Sequence, residues 1–381
     1  MLIDRTIFKS IRESLLGERR VIVLYGPRQS GKTTLLKQLV KEYPAEESFF
    51  LNGDDFRVAE IFKKPSLANF KSLIGSKKLL IIDEAQRITD IGLSLKLIFD
   101  QLSVRVIVSG SSSLGLADSV SEPLTGRTKT FFLYPLSFNE IKPIAPEIGL
   151  STRLEEFLRF GLYPKVVTTE GDQGKQDYLN ELLSAYLYGD ILAFGLVRKP
   201  KKVIDLLSLL ALQIGSEVSI AELAANLSLS RVIVEKYLDL LEKMFVLVNL
   251  RGFSRNLRKE ISKTSKYYFV DLGLRNALIR NFNPLNLRND VGALFENFCF
   301  IERQKLLGNR GQSANFYFWR TYDQKEIDLI EEKDGQLLAW EFKWSKKARP
   351  SSSSFEEFQD NYPQSQFRLV SADNFEDLGQ N

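Results

Sequence analysis

Two stretches of this chain have residue types and spacing suited to handling phosphate. "GPRQSGKT", Gly26 to Thr33, reads G-x-x-x-x-G-K-T. Glycines at such positions let the backbone curl until its N–H groups converge, and a following helix aims its positive end at the same point. Gly26, Pro27, Arg28, Gln29, Ser30 and Gly31 would form the cradle, and Thr34 would continue it into the helix. Lys32 is placed to reach the β and γ oxygens of a nucleoside triphosphate, and the Thr33 hydroxyl to ligate Mg²⁺. In "KLLIIDEAQ" an apolar run carries Asp83 to the carboxyl end of a strand. There it can hold Mg²⁺ through water, while Glu84 beside it polarises an attacking water. The chain has no N-K-x-D run for guanine. ATP and Mg²⁺ are therefore the expected ligands, and hydrolysis the expected chemistry.

Two polar positions extend this site. "VRVIVSGSSS" ends a strand at Ser109, with Ser111 close behind. A hydroxyl there can sense the γ-phosphate or orient water, and an ordinary serine-rich turn has the same composition. "LTGRTKTFFL" puts Arg127 just before a strand, either as an arginine finger, in cis or in trans, or as a solvated structural residue.

A second constellation lies near the end. "EIDLIEEKDGQLLAWEFKW" puts Asp328 on one strand and Glu341-x-Lys343 on the next, joined by an Asp334-Gly335 turn. Residues i and i+2 of a strand face one side, roughly 7 Å apart. Glu296, on a preceding helix, adds another acid. Glu296, Asp328 and Glu341 could hold Mg²⁺ while Lys343 activates water or steadies a scissile phosphate. An inactive fold of the same type, or a chance alternation of charged strand residues, would read alike. The pattern resembles the PD-(D/E)xK nuclease core, with Ile327 where a proline often stands.

These sites need elements to hold them. The 381 residues include no histidine, which removes Ser-His-Asp, Cys-His and H-E-x-x-H chemistry. A hydrophobic content of 44% and a net charge of +4 fit an ordinary globular chain of two or three domains. Cys299, the one cysteine, lies in an apolar helical run and is expected to be buried. No apolar run is long enough for a membrane span, and "MLIDRTIFKS" lacks a signal pattern, so the cytoplasm is the expected location. Residues 1–150 alternate short apolar runs with helical patterns, as in a parallel sheet buried on both faces. Residues 151–200 read as a helical connector. Residues 201–285 give three helices and a two-stranded hairpin, a winged helix-turn-helix. Residues 286–381 give a long helix and further strands, a restriction-endonuclease-like α/β domain.

The winged helix leaves its partner open. Its candidate reading helix, "SRVIVEKYLDLLEKM", carries as many acids as bases. The wing gathers Arg251, Arg255, Arg258, Lys259, Lys263 and Lys266 against one acid, Glu260. It either contacts the phosphates of DNA or RNA or forms the solvated edge of a packing module.

The chain as a whole resembles a family of prokaryotic AAA-type P-loop ATPases with a winged-helix and nuclease-like C-terminal region. The matching segments are "VIVLYGPRQSGKTTLL", "LLIIDEAQ", "VSGSSS", "LTGR", "YPLSFNE", "FGLYPKV", "GDI", "YYFVDLGLRNAL" and "VGALFENF". "FGLYP" departs from the family in having Leu162 where a second glycine is usual. The resemblance implies ATP biochemistry and no pathway; the reading of the residues adds ATP-driven rearrangement of output domains that act on DNA or RNA. A nucleotide-dependent switch or scaffold for a protein partner, with an inactive nuclease-like fold, is the alternative, and either can oligomerise.

Overall fold

The computed structural model describes residues 2–63, 65–112, 116, 120, 122–144, 150–185, 199–254, 265–321, 323–345 and 352–379. Helix α1 (Ile7–Leu16) precedes β1 (Val21–Tyr25), and α2 (Lys32–Val40) follows the glycine loop. Then come β2 (Ser48–Asn52), α3 (Phe56–Lys63), α4 (Leu67–Ile74) and β3 (Leu79–Asp83). α5 (Ile91–Gln101), β4 (Arg105–Gly110) and β5 (Thr128–Phe132) complete the first half. The sheet runs β2-β3-β4-β1-β5 with every neighbouring pair parallel, as the apolar runs predict.

Alternation divides β1 between two cores. Val21, Val23 and Tyr25 pack with residues of α3, α4 and α5, whereas Ile22 and Leu24 pack with α1 and α2. Each fully buried aliphatic side chain contributes about 1.5–3 kcal/mol, so both faces hold the strand that ends in the loop. Helix α1 was not foreseen, although Ile7, Ile11 and Leu15 recur every fourth residue and are all buried.

A helical stretch follows: α6 (Phe138–Ile141), α7 (Leu150–Phe160), α8 (Pro164–Thr168) and α9 (Asp172–Ser184). Next come α10 (Pro200–Leu212), β6 (Glu217–Val218), α11 (Ile220–Leu227), α12 (Arg231–Lys243) and strands β7 (Leu247–Gly252) and β8 (Ser265–Phe269). The chain ends with α13 (Leu272–Leu278), α14 (Val291–Asn309), β9 (Asn315–Arg320), β10 (Glu326–Lys333), β11 (Gln336–Lys343), α15 (Ser352–Asn361) and β12 (Gln366–Ser371). The Asp334-Gly335 turn has φ of 52° and 77°, positive at both positions as a tight hairpin turn requires.

The second sheet runs β12-β11-β10-β9-β7-β8-β6. The hairpin expected as a free wing thus continues the C-terminal sheet. β7 lies parallel to β9 through Arg251↔Tyr317 and Gly252↔Phe318. The Phe253 amide extends the junction by donating to the Phe318 carbonyl at 2.6 Å. Residues from Ile3 and Leu136 to Tyr268, Phe298, Trp340 and Leu378 share one core. Cys299 is fully buried in it. Among the described residues no helix is long and apolar enough to cross a membrane.

Candidate functional site

The glycine loop leaves β1 through a contact that only glycine allows. A β-carbon on Gly26 would lie 2.1 Å from the Leu133 carbonyl oxygen. Gly31, at φ 99°, then caps α2 in the left-handed region. Lys32 is buried, and its Nζ donates to the carbonyls of Gly26 and Pro27, each at 2.9 Å. The Thr33 hydroxyl donates to Asp83 Oδ2 at 2.6 Å. β4 stands between β1 and β3, so Ser109 reaches Asp83 from the side: its hydroxyl donates to Asp83 Oδ1 and accepts from the Glu84 amide at 3.3 Å.

Glu84 has φ 52°, which ends the strand direction abruptly and brings the residue to the pocket wall. Its carboxylate is held from behind: Gln86 Nε2 donates to Glu84 Oε2 at 2.6 Å and to the Ser111 hydroxyl at 3.0 Å. The pocket has a volume of about 500 Å³. Arg28, Gln29, Gly31, Lys32, Thr33 and Thr34 line it together with Glu84. The residues suit a Mg²⁺-nucleotide: two oxygen donors meet at the base of a loop whose glycines are sterically required, and a lysine sits beside them on exchangeable carbonyl acceptors.

Arg127 is not brought to this pocket. The β1–β5 register pairs Val21 with Thr128 and Tyr25 with Phe132, so Arg127 sits at the amino-terminal end of the sheet and the loop at the other. Five residues of strand, roughly 16 Å, separate them. Arg127 instead pairs with Asp100 at 3.4 Å. This keeps Arg127 from the pocket of its own chain and leaves the trans and structural alternatives. Two contributors were missed. Arg5 reaches the loop from the start of the chain, and α8 adds Lys165 and Thr168 to the pocket wall. Arg5 lies in no motif or periodic run, and Lys165 falls in the family-like "FGLYPKV" segment, which gave no hint of a place at the pocket.

Beside the C-terminal acids, Lys266 takes a place that was not expected of it. Lys266 is buried, not solvated, and its ammonium donates to Glu296 at 3.0 Å and to Glu326. Tyr268 also donates to Glu296. Burial pushes the Lys266 pKa down, but the carboxylates of Glu296 and Glu326 more than reverse this, so the ammonium stays charged. Asp328 accepts from the Phe342 amide at 2.7 Å, and Lys343 pairs with Glu341 at 3.0 Å. Burial first, then the Glu296 charge, lifts Asp328 to about 7. Along β11, Trp340 and Phe342 pack in the core that holds α14, whereas Leu337 and Ala339 pack with α15. Alternation puts Glu341 and Lys343 on the α15 face of β11, yet burial of the Lys343 ammonium is more than offset by the charges of Asp328, Glu341 and Glu296, which raise its pKa. Among the described residues no group of three or more acids or cysteines is spaced to hold a metal ion.

In the helix-and-hairpin part, Arg251 is exposed on β7, and Arg255, Arg258, Lys259 and Lys263 lie outside the described residues. Helix α12 exposes Val232 and carries Glu242, whose pKa is raised to about 7, first by burial and then by Asp239. A raised carboxylate means that the folded state holds its proton more tightly than the unfolded state. Its stabilising effect is full below the ordinary carboxylate range and is lost as pH rises toward 7. Glu242→Gln is expected to flatten this decline and gain roughly 1–2 kcal/mol at alkaline pH. Urea denaturation across a pH series measures it; an unchanged slope would mean that Glu242 is ionised without cost.

Comparison with known proteins divides the chain in three. Residues 18–142 match an AAA domain, 151–285 a domain of unknown function (DUF8612), and 291–380 another (DUF4143). An uncharacterized protein of Mycobacterium tuberculosis is 31% identical over 350 residues, covering 90% of this chain and 74% of its own. An uncharacterized protein of Methanocaldococcus jannaschii is 25% identical, covering 88% and 78%. AMPPCP-bound DnaA from Aquifex aeolicus aligns with 62% of this chain and 86% of its own at 19% identity and a TM-score of 0.32, too distant a likeness to locate any function.

Proposed function

This chain belongs to one family with the mycobacterial protein and carries an AAA domain, and we propose from these premises that it binds ATP with Mg²⁺ and hydrolyses it. The observation that carries this reading is the 2.6 Å meeting of Thr33 and Asp83 at the base of the glycine loop, with Glu84 in the same pocket. Mg²⁺, held by Thr33 and Asp83, would neutralise phosphate charge. Lys32 leaves the Gly26 and Pro27 carbonyls for the β and γ oxygens. The loop amides and the amino terminus of α2 bind the remaining phosphate oxygens. Glu84, steadied by Gln86, accepts the proton of the attacking water. Ser109 keeps Asp83 and the Glu84 backbone in register. Arg127, at the far end of the sheet, serves as a finger only in trans, toward a second copy. The test is phosphate release from ATP by the purified chain. Release that requires Mg²⁺ is expected; none at saturating ATP would end this reading.

For the C-terminal half, two readings compete. The order helix, strand, helix, helix, hairpin supports a winged helix, and the Glu296, Asp328, Glu341 and Lys343 pattern supports a nuclease-like domain acting on DNA or RNA. Lys266 favours the second reading, a nucleotide-driven switch for a protein partner on a non-cleaving fold, because its ammonium already pairs with one of these acids, Glu296, as well as with neighbouring Glu326. Calorimetric titration with Mn²⁺ in a Lys32→Ala background separates them. The switch reading expects no uptake that Asp328→Ala abolishes, and no nicking of DNA or RNA. Uptake lost with Asp328, accompanied by nicking, would restore the nuclease.

A further inference from the structure

Arg5 is 8% exposed and lies outside every motif that marks the nucleotide site. One guanidinium nitrogen donates to the Ser30 carbonyl at 2.7 Å, and another to the Tyr134 carbonyl at 2.7 Å. Its Nε faces Glu140 at 3.2 Å. Glu140 is fixed in turn, accepting from the amides of Thr6 at 2.8 Å and Ser137 at 3.0 Å. One planar side chain thus ties the phosphate loop to the segment that follows β5.

The Ser30 contact has a consequence one atom further on. In a trans peptide the carbonyl and the next amide point in opposite directions, and the described chain has no cis bond. Holding the Ser30 carbonyl toward Arg5 therefore turns the Gly31 N–H away from Arg5. That amide belongs to the loop whose converging donors receive phosphate. Gly31 stands at φ 99°, a region open to glycine, so its peptide orientation is free to follow the contact that holds the Ser30 carbonyl. We propose that Arg5, locked by Glu140, is a positioning residue that presets the phosphate loop for nucleotide, acting through the Ser30–Gly31 peptide. The inference rests on the ATP reading above. Arginine suits the task because its rigid fork donates to two carbonyls at once while its charge pairs with Glu140, whereas a lysine ammonium presents a single point.

The test compares Arg5→Lys with the pair deletion Arg5→Met plus Glu140→Gln, which leaves no buried charge behind. Steady-state ATP hydrolysis gives KM and kcat; binding of a non-hydrolysable ATP analogue with Mg²⁺ gives affinity. The pair deletion is expected to weaken binding and raise KM by about tenfold or more, with kcat within about threefold of the parent. Arg5→Lys keeps the charge but loses the fork and is expected to fall between the two. A merely structural role would reduce the folded fraction and hence the apparent kcat, at unchanged KM. Parent-like affinity in Arg5→Lys, or in a folded pair deletion, would overturn the proposal while leaving the ATP reading intact. A parent that binds no nucleotide would overturn both.

Discussion

Lys32→Ala is expected to abolish ATP turnover and weaken nucleotide binding, while Glu84→Gln keeps binding and stops hydrolysis. The two residues differ in what they touch. Lys32 is buried in the loop, with the Gly26 and Pro27 carbonyls as its partners. It carries the one ammonium group within the G-x-x-x-x-G-K-T loop, so its loss removes positive charge from both the bound nucleotide and the transition state. Glu84 sits in the pocket wall, where Gln86, itself bonded to Ser111, orients it. Removing a general base typically costs about 10²–10⁴ in rate and leaves the phosphate cradle intact. Fluorescent nucleotide titration and phosphate release distinguish the two losses. Hydrolysis at the parent rate in the Glu84 variant would transfer the base assignment to another residue.

Lys266→Met is expected to cost the C-terminal half about 3–5 kcal/mol, as breaking a buried ion pair by removing one partner commonly does. Glu326 retains Arg320 at 3.5 Å. Glu296 keeps the Tyr268 hydroxyl but loses its buried cation. The penalty therefore falls mainly on Glu296, and adding Glu296→Gln should recover a large part of it. The three tryptophans, Trp319, Trp340 and Trp344, all lie on or beside β9 and β11, so denaturation followed by tryptophan fluorescence reports this half of the chain. A Lys266→Met variant with parent stability would mean that the ammonium is already solvated in solution.

The nucleotide pocket was readable because its parts are local. G-x-x-x-x-G-K-T fixes a loop between one strand and one helix, and the apolar run before Asp83 fixes where that strand ends. Ser109 was readable for the same reason, but its work was not: that depends on β4 lying between β1 and β3. Arg127 precedes a strand of a parallel sheet, which already puts it at the end opposite the loop; its motif alone left a finger and a structural residue open. Arg5 meets Tyr134 and Glu140 across more than a hundred residues of chain, and no spacing rule reaches that far. Lys266 read as a wing residue because charge alone does not say which side of a strand a lysine occupies. Its burial follows from β8 entering the C-terminal sheet, through a β7–β9 pairing of only two residue pairs.

That pairing bears on how such a chain can be divided. A fragment that begins after residue 285 would leave β9 with a bare edge and Glu296 without its ammonium, since β7 and β8 stay behind. Unpaired edges invite association with other chains, and the apolar face that packed on β7 and β8 would be exposed. Neither the 151–285 segment nor the 291–380 segment is a portable part. Only a piece that contains both keeps the seven-stranded sheet and the Lys266–Glu296 pair whole, so exchange between relatives would have to move the two segments together.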